Sequence, residues 1–135
     1  MSKKSYRILP YGVNLFKIPA VIGGNQKRDF QKINLLIDTG ASFTIVSRMI
    51  ITNLDYDLNN YSQTQQLTTG KGNTAPIPMI ELNWFNCGGK IVNNFAILAY
   101  DIPSMLKVDG VLGMDFLVKY AATISLQEQK IYFDK

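Results

Sequence analysis

Residues 35–47 read LLIDTGASFTIVS, and one carboxylate, Asp38, stands in the middle of this almost wholly apolar run. A small hydroxyl residue and a glycine, Thr39 and Gly40, follow it directly. A carboxylate in apolar surroundings costs free energy unless it is hydrogen-bonded or near water. We therefore expect Asp38 at the exposed end of a buried strand, where Gly40 lets another backbone approach closely. A simple turn cap at Asp38 remains the alternative interpretation.

The lack of histidine narrows the chemistry that the chain can perform. The sequence has no His and a single Cys, Cys87, in the turn-like segment NCGGK. Ser-His-Asp and Cys-His nucleophilic sites need a histidine base, and zinc sites need imidazoles or several thiolates. We therefore expect no metal and no cofactor, and we interpret Cys87 as a structural residue. Catalysis would have to use carboxylates, lysines, tyrosines, hydroxyl groups or the backbone, and only ten acidic residues are present.

Length and composition indicate one globular domain over residues 1–135, with 1–10 as a candidate flexible N-terminal arm. The net charge is +4, but the basic residues are spread along the chain, which argues against nucleic-acid binding. The charged N-terminus lacks the apolar region of a signal peptide, and no apolar stretch is long enough to span a membrane. With a single cysteine, these features predict a cytoplasmic protein without a membrane partner.

Short apolar segments separated by turn residues predict a β-rich fold. Strands are expected in LFKIPAVIGG (15–24), INLLIDTG (33–40) and FTIVS (43–47), and hairpins around Gly70–Gly72, around NCGGK (86–90) and within ATISLQEQKIYFD (122–134). Apolar residues at helical spacing in MDFLVKYAA (114–122) predict one short helix. The polar stretch DYDLNNYSQTQQ (55–66) is compatible with a loop or an irregular edge.

Three motifs occur in a characteristic order: LLIDTGAS (35–42), TTGKGNTA (68–75) and GVLGMDFL (110–117), followed by a short terminal hairpin. Together they resemble the retropepsin-like aspartic proteases, over roughly residues 15–134. The resemblance implies an all-β acid-protease barrel with a flap hairpin, working as a two-fold homodimer on a peptide or protein substrate. Viral relatives carry an acidic residue and an arginine where this chain has Ser42 and Met114, so a bacterial-type member is the closer likeness.

The resemblance also implies roles for individual residues. Asp38, Thr39 and Gly40 would form the catalytic loop, with Thr39 bonding across to the loop of the partner copy. Val111–Gly113 would pack under that loop, and Phe43 beside it favours apolar substrate side chains. The C-terminal hairpin would supply strands between subunits. The residues expected to contact substrate are Ser42, Thr69, Gly70, Lys71 and Gly72.

Peptide hydrolysis by this route needs two carboxylates that share one proton. The chain holds one Asp-Thr-Gly tripeptide, and Asp109 and Asp115 lie outside any such motif. The second carboxylate should therefore be Asp38 of another copy, related by a two-fold axis. The expected function is that of an aspartic endopeptidase. Two alternatives are a catalytically silent dimer that binds peptides or supports assembly, and a general β-domain in which Asp38 only caps a turn.

Overall fold

The computed structural model describes residues 4–61 and 63–135, which form thirteen strands and two α-helices. The strands are β1 (Ser5–Arg7), β2 (Leu9–Tyr11), β3 (Leu15–Gly23), β4 (Phe30–Ile37), β5 (Ile45–Val46), β6 (Thr64–Gln65), β7 (Thr68–Thr69), β8 (Gly72–Asn73), β9 (Ile77–Cys87), β10 (Lys90–Ala99), β11 (Gly110–Leu112), β12 (Ala122–Ser125) and β13 (Lys130–Phe133). The helices are α1 (Arg48–Asn53) and α2 (Met114–Lys119), and Ser104–Leu106 forms a 3-10 turn.

Eight strands form one sheet in the order β2-β3-β4-β11-β5-β10-β9-β6, and an extra pairing of β3 with β9 closes it into a barrel. Gly23 lies where these two strands meet. A Cβ on Gly23 would lie 2.2 Å from Nε1 of Trp84, so the indole packs directly on the glycine backbone. The predicted all-β barrel is therefore confirmed, and the barrel closes where the single tryptophan packs.

The barrel is filled by a core of aliphatic side chains and a group of stacked rings. Phe85 lies 5.1 Å from Phe95 and 5.4 Å from Phe116 between ring centroids, within the range of favourable aromatic pairs. Phe116 belongs to α2, so this helix packs its buried face into the end of the barrel. The predicted helix at 114 is confirmed by α2.

The prediction of only one short helix is wrong, because RMIITN forms a second helix, α1. Its isoleucines and threonine favour strands, so the segment reads as a continuation of the preceding strand. Ile50 and Ile51 are nevertheless buried, and the backbone N–H of Arg48 donates to Oδ1 of Asp101 at 3.1 Å. The side chain that accepts a hydrogen bond from the first residue of α1 is thus 53 positions away in sequence. No helix among the described residues is long and apolar enough to cross a membrane.

The terminal hairpin is present as predicted: β12 and β13 pair antiparallel, and β1 adds to the other side of β13. Ile8 is completely buried, and its N–H donates to the carbonyl of Gln129 at 3.0 Å. Within the candidate flexible arm, residues 5–7 and 9–10 belong to strands β1 and β2 of the two sheets, and residues 1–3 lie outside the described chain. The result is a second, three-stranded sheet in the order β1-β13-β12.

The polar stretch 55–66 contains turns and then the short strand β6, which pairs with the edge of β9; Ser62 lies outside the described residues. After it, β7 and β8 form a two-stranded hairpin at the predicted position, with Gly70 and Lys71 as the turn. The base of this hairpin is pinned by Leu67 and Thr74. Leu67 N–H donates to Thr74 Oγ1 at 3.0 Å, and Thr74 N–H donates to the Leu67 carbonyl at 2.9 Å.

Candidate active site

Asp38 follows β4 at the end of a buried strand, as expected from its position after Ile37. Its N–H donates to the carbonyl of Leu112 in the neighbouring β11 at 3.1 Å, so the chain leaves the sheet in a fixed direction. Ala41 N–H donates to the Asp38 carbonyl at 3.2 Å, which closes a tight turn. Gly40 N–H donates to Asp38 Oδ1 at 2.9 Å. The half-buried carboxylate is therefore held by its own loop.

The segment 111–113 packs under this loop, in the place that the sequence predicted. Val111 pairs with Leu36 and Leu112 with Ile37 in parallel register. A Cβ on Gly113 would lie 2.6 Å from the carbonyl carbon and oxygen of Phe43, so only glycine allows the chain to pass this close. The loop and the segment beneath it form one packed unit.

Thr44 and Asp115 join the catalytic loop to α2. Thr44 is fully buried, its Oγ1 donates to Asp115 Oδ1 at 2.8 Å, and its N–H donates to Oδ2 at 2.9 Å. The same hydroxyl accepts from Gly113 N–H at 3.1 Å, and Asp115 Oδ1 also accepts from Phe116 N–H at 2.8 Å. We call this group the Thr44–Asp115 strut. Sequence reasoning missed it, although a hydroxyl within an apolar strand was a signal.

The carboxylate of Asp109 has a structural role as well. Its Oδ2 accepts from Asn34 N–H at 2.8 Å, and the two backbones bond where Asp109 N–H donates to the Asn34 carbonyl at 2.9 Å. Both carboxylates near the GVLGMDFL motif therefore bond to backbone groups of other elements. Neither of them lines the groove that contains Asp38.

This groove has a volume of about 460 Å³ and lies between the catalytic loop and the chain leading to the β7–β8 hairpin. It is lined by Asp38, Gly40, Ala41, Ser42, Phe43, Ile45, Gln65, Gln66, Leu67 and Thr68. Asp38 is the only carboxylate among these described lining residues. The site is therefore an open groove that one carboxylate lines, with the β7–β8 hairpin beyond one wall.

Comparison with known proteins gives the family. The family model described as aspartyl protease matches residues 18–116, which include the catalytic loop, the β7–β8 hairpin and the start of α2. The chain belongs to the aspartyl protease family. No curated protein gives a significant match to the sequence.

Two solved structures share the fold of this aspartyl protease family member. A retropepsin-like aspartic protease from Rickettsia conorii is 21% identical with a TM-score of 0.61, and the alignment covers 98% of this chain and 94% of the other. The retroviral protease-like domain of Ddi1 from Leishmania major is 19% identical with a TM-score of 0.60, covering 92% and 91%. The retropepsin-like fold inferred from the sequence is confirmed.

The residues that were predicted to contact the substrate lie in two places. Ser42 is exposed and lines the groove, together with Phe43. Thr69, Gly70, Lys71 and Gly72 form the hairpin beyond Thr68, where the lining of the groove ends. Residues 65–68 also line the groove but were not predicted, because the polar stretch before them has no periodicity from which a wall could be inferred.

Thr39 faces a different space. It is exposed and lines an apolar groove of about 310 Å³ whose other lining residues are Ile8, Asn14, Leu15, Phe16, Ile37, Ile124 and Leu126. The catalytic loop thus separates two grooves, with Asp38 in one and Thr39 in the other. An exposed Thr39 beside apolar side chains is compatible with its predicted contact to a second copy.

A second apolar cluster, distinct from the main core, lies against the Asp38 groove. Its buried members are Leu36, Ile45, Ile77, Met79, Leu98 and Val111. Ala41, Phe43 and Leu67 pack against it from the groove. Ala41, Phe43, Ile45 and Leu67 therefore give the groove beside the carboxylate an apolar side.

Cys87 does not take part in this site. The side chain is only 1% exposed, and burial raises the pKa of the thiol to about 12. The thiol is therefore neutral at ordinary pH, and nucleophilic chemistry needs the thiolate. The interpretation of Cys87 as a structural residue agrees with this environment.

Proposed function

We propose that the protein is an aspartic endopeptidase that works as a homodimer, with one Asp38 carboxylate from each copy. The observation that carries this proposal is the single carboxylate among the described residues that line the groove. Asp109 and Asp115, the carboxylates of the segment around GVLGMDFL, accept hydrogen bonds from backbone groups and do not line the groove. The second catalytic carboxylate would therefore come from another copy of the chain.

In this mechanism the two carboxylates face each other across the two-fold axis and share one proton, because two like charges in contact do not both ionise. The ionised member removes a proton from water, whose oxygen attacks the scissile carbonyl carbon. The protonated member donates its proton to the carbonyl oxygen. When the intermediate collapses, the C–N bond breaks and the amine leaves with a proton from the dyad. The Gly40 N–H at 2.9 Å would hold each carboxylate in position.

The open edge of β12 supports a place for the second copy. The Ile8 N–H donates to the carbonyl of Gln129, just before β13. Because the backbone groups of successive residues in a strand point to opposite sides, odd-numbered residues of β13 hydrogen-bond to β1 and even-numbered residues hydrogen-bond to β12. On β12, Thr123 and Ser125 then bond to β13, because they pair with Tyr132 and Lys130.

The backbone groups of Ala122 and Ile124 are consequently directed away from β13, at the free edge of the sheet. An exposed strand edge offers these N–H and C=O groups to another chain. The Thr39 groove includes Ile124 and Leu126 and so extends along the same strand. A two-fold pairing of β12 with its copy would bring the two catalytic loops toward each other.

The β7–β8 hairpin is proposed as the flap, closing on a peptide in the groove. Its base is pinned at Leu67 and Thr74, whereas Gly70 and Gly72 at the tip permit backbone conformations closed to other residues. Gly72 has φ 100°. The apolar cluster behind Phe43 and Leu67 would accept apolar side chains next to the cut bond.

Incubation of wild type and Asp38→Asn with a peptide library at several pH values tests the proposal. The amide keeps the shape of the side chain but cannot share the proton, so cleavage should disappear while fold and dimer remain. Asp29→Asn, at an exposed position between β3 and β4, is the matched control for the loss of one charge. If wild type binds peptides without cleaving them, the silent binding module is the correct function. Equal cleavage by Asp38→Asn would show that another group performs the reaction.

A further inference from the structure

The loop between β10 and β11, residues 100–109, is hydrogen-bonded to other elements at both of its ends. In its middle, the backbone hydrogen bonds lie within the loop itself. At one end, Tyr100 N–H donates to the Val46 carbonyl at 3.1 Å. At the other end, Asp109 is bonded to Asn34. The middle turns through Ser104–Leu106, where the backbone hydrogen bonds lie within the loop: Leu106 N–H donates to the Pro103 carbonyl and Lys107 N–H to the Ser104 carbonyl. Met105, at the tip, is 82% exposed.

One side chain from outside reaches this middle section. The Tyr11 hydroxyl donates to the carbonyl of Leu106, 95 residues away in sequence. Carbonyls at the end of a helical turn have no partner within the turn, so Leu106 is a free acceptor for this purpose. Among the described residues, this is the hydrogen bond that joins positions 102–108 to another element. Lys17 Nζ lies 5.2 Å from the centroid of the Tyr11 ring, within the range of a cation–π contact.

The same loop contributes to the surroundings of the Asp38 groove. Ile102 and Val108 pack on the second apolar cluster, against which Phe43 and Leu67 pack from the groove side. Tyr11 itself packs on this cluster. Movement of the loop would therefore change the apolar wall beside the substrate, although no loop residue is a catalytic group.

We propose that Tyr11 is a positioning residue that fixes the 100–109 loop and thereby sets which side chains fit beside the cut bond. This inference rests on the proposed peptidase function for its effect on substrates, but the tether itself does not. The Tyr11 ring packs on the second apolar cluster and lies near Lys17, so its hydroxyl is held in one place. That hydroxyl donates the hydrogen bond that joins the described residues 102–108 to another element. Loss of the donor frees the loop while leaving Asp38 untouched.

Tyr11→Phe tests the proposal, because it keeps the ring and removes only the donor. Tyr120→Phe is the matched control: Tyr120 follows α2, and its ring contact with Phe116 at 4.9 Å is retained. In hydrogen exchange followed by mass spectrometry, Tyr11→Phe should speed exchange at 102–108 by about 2- to 10-fold, the effect of one net hydrogen bond. Tyr120→Phe should leave exchange at 102–108 as in wild type.

The second measurement is cleavage of a peptide series that differs in the size of one apolar side chain. Tyr11→Phe should raise KM by a similar factor with kcat within about twofold, and should reduce the discrimination between large and small side chains. Unchanged exchange at 102–108 would overturn the tether. Faster exchange with unchanged KM and selectivity would overturn the role in specificity. If wild type cleaves no peptide, the proposed function fails, and the exchange experiment still decides whether Tyr11 holds the loop.

Discussion

The Thr44–Asp115 strut should account for a large share of the stability of this domain. Thr44→Val keeps the shape of the side chain but removes the hydroxyl. Two hydrogen bonds are lost: the bond of 2.8 Å to the Asp115 carboxylate and the bond of 3.1 Å that Gly113 N–H donates. The Gly113 N–H is then left buried without an acceptor.

The magnitude follows from these two losses. A hydrogen bond to a charged group contributes about 1.5–3 kcal/mol, and a buried unpaired donor costs about 1–3 kcal/mol. Thr44→Val should therefore lower the free energy of unfolding by about 2.5–6 kcal/mol, against a typical total of about 5–15 kcal/mol. In urea, with an m-value of about 1–3 kcal/mol per M, the midpoint should fall by about 1 M or more.

Urea denaturation of Thr44→Val, Asp115→Asn and the double variant measures this effect, at one fixed protein concentration so that any association between copies is the same for every variant. Thr52→Val, at an exposed position in α1, is the control and should change stability by no more than about 0.5 kcal/mol. Because the two residues share their bonds, the single effects should not add. A Thr44→Val variant as stable as the control, or single effects that add within about 0.5 kcal/mol, would refute this account of the strut.

Three further predictions concern the partner copy, the edge strand and the thiol. Excess Asp38→Asn mixed with wild type should suppress peptide cleavage, since a mixed dimer holds one catalytic carboxylate, and specific activity should fall on dilution; undiminished activity in either assay would contradict a shared site. Ile124→Pro removes one N–H from the free edge of β12, so sedimentation should show a weaker dimer and activity should fall with it, while circular dichroism retains the β signal; an unchanged dimer would show that the copies meet elsewhere. Burial raises the pKa of Cys87 from 9.0 to about 12, so the thiol of the unfolded chain loses its proton at a lower pH than the thiol of the folded chain. The contribution of the buried neutral thiol to the free energy of unfolding is therefore fully present below pH 9 and is lost as the pH rises toward 12. Relative to Cys87→Ala, the wild type should lose about 1.4 kcal/mol per pH unit in that window, and equal slopes for the two proteins would contradict it.

The parts of the fold that could be predicted are those encoded by neighbouring residues. Strand β3, with its turn-forming glycines at the end, and the terminal hairpin are visible as local patterns, and so is the turn at Gly70–Lys71. The Asp38–Gly40 loop could be located after β4 because its residues are contiguous, and Ser42 could be placed beside it because it follows closely.

The parts that were missed depend on residues far apart in sequence. Helix α1 begins at a bond from Arg48 to Asp101, and the strut joins residues 71 positions apart. Neither partner alone distinguishes itself from an ordinary polar residue. The wall at 65–68 has no periodic pattern, because it runs from the end of β6 to the start of β7 and both strands are only two residues long. The contiguous Asp38–Gly40 loop could therefore be located from the sequence, but the residues that support it could not.

The packing of Trp84 on Gly23 provides an optical probe of the fold. Trp84 is the only tryptophan of the chain, and it lies where β3 and β9 close the barrel, on a strand of the eight-stranded sheet and not of the three-stranded one. Its emission on selective excitation therefore reports on barrel closure. A change of emission that precedes or follows the loss of far-ultraviolet ellipticity would show that the barrel and the terminal sheet melt as separate units. A single coincident transition would show that they unfold together.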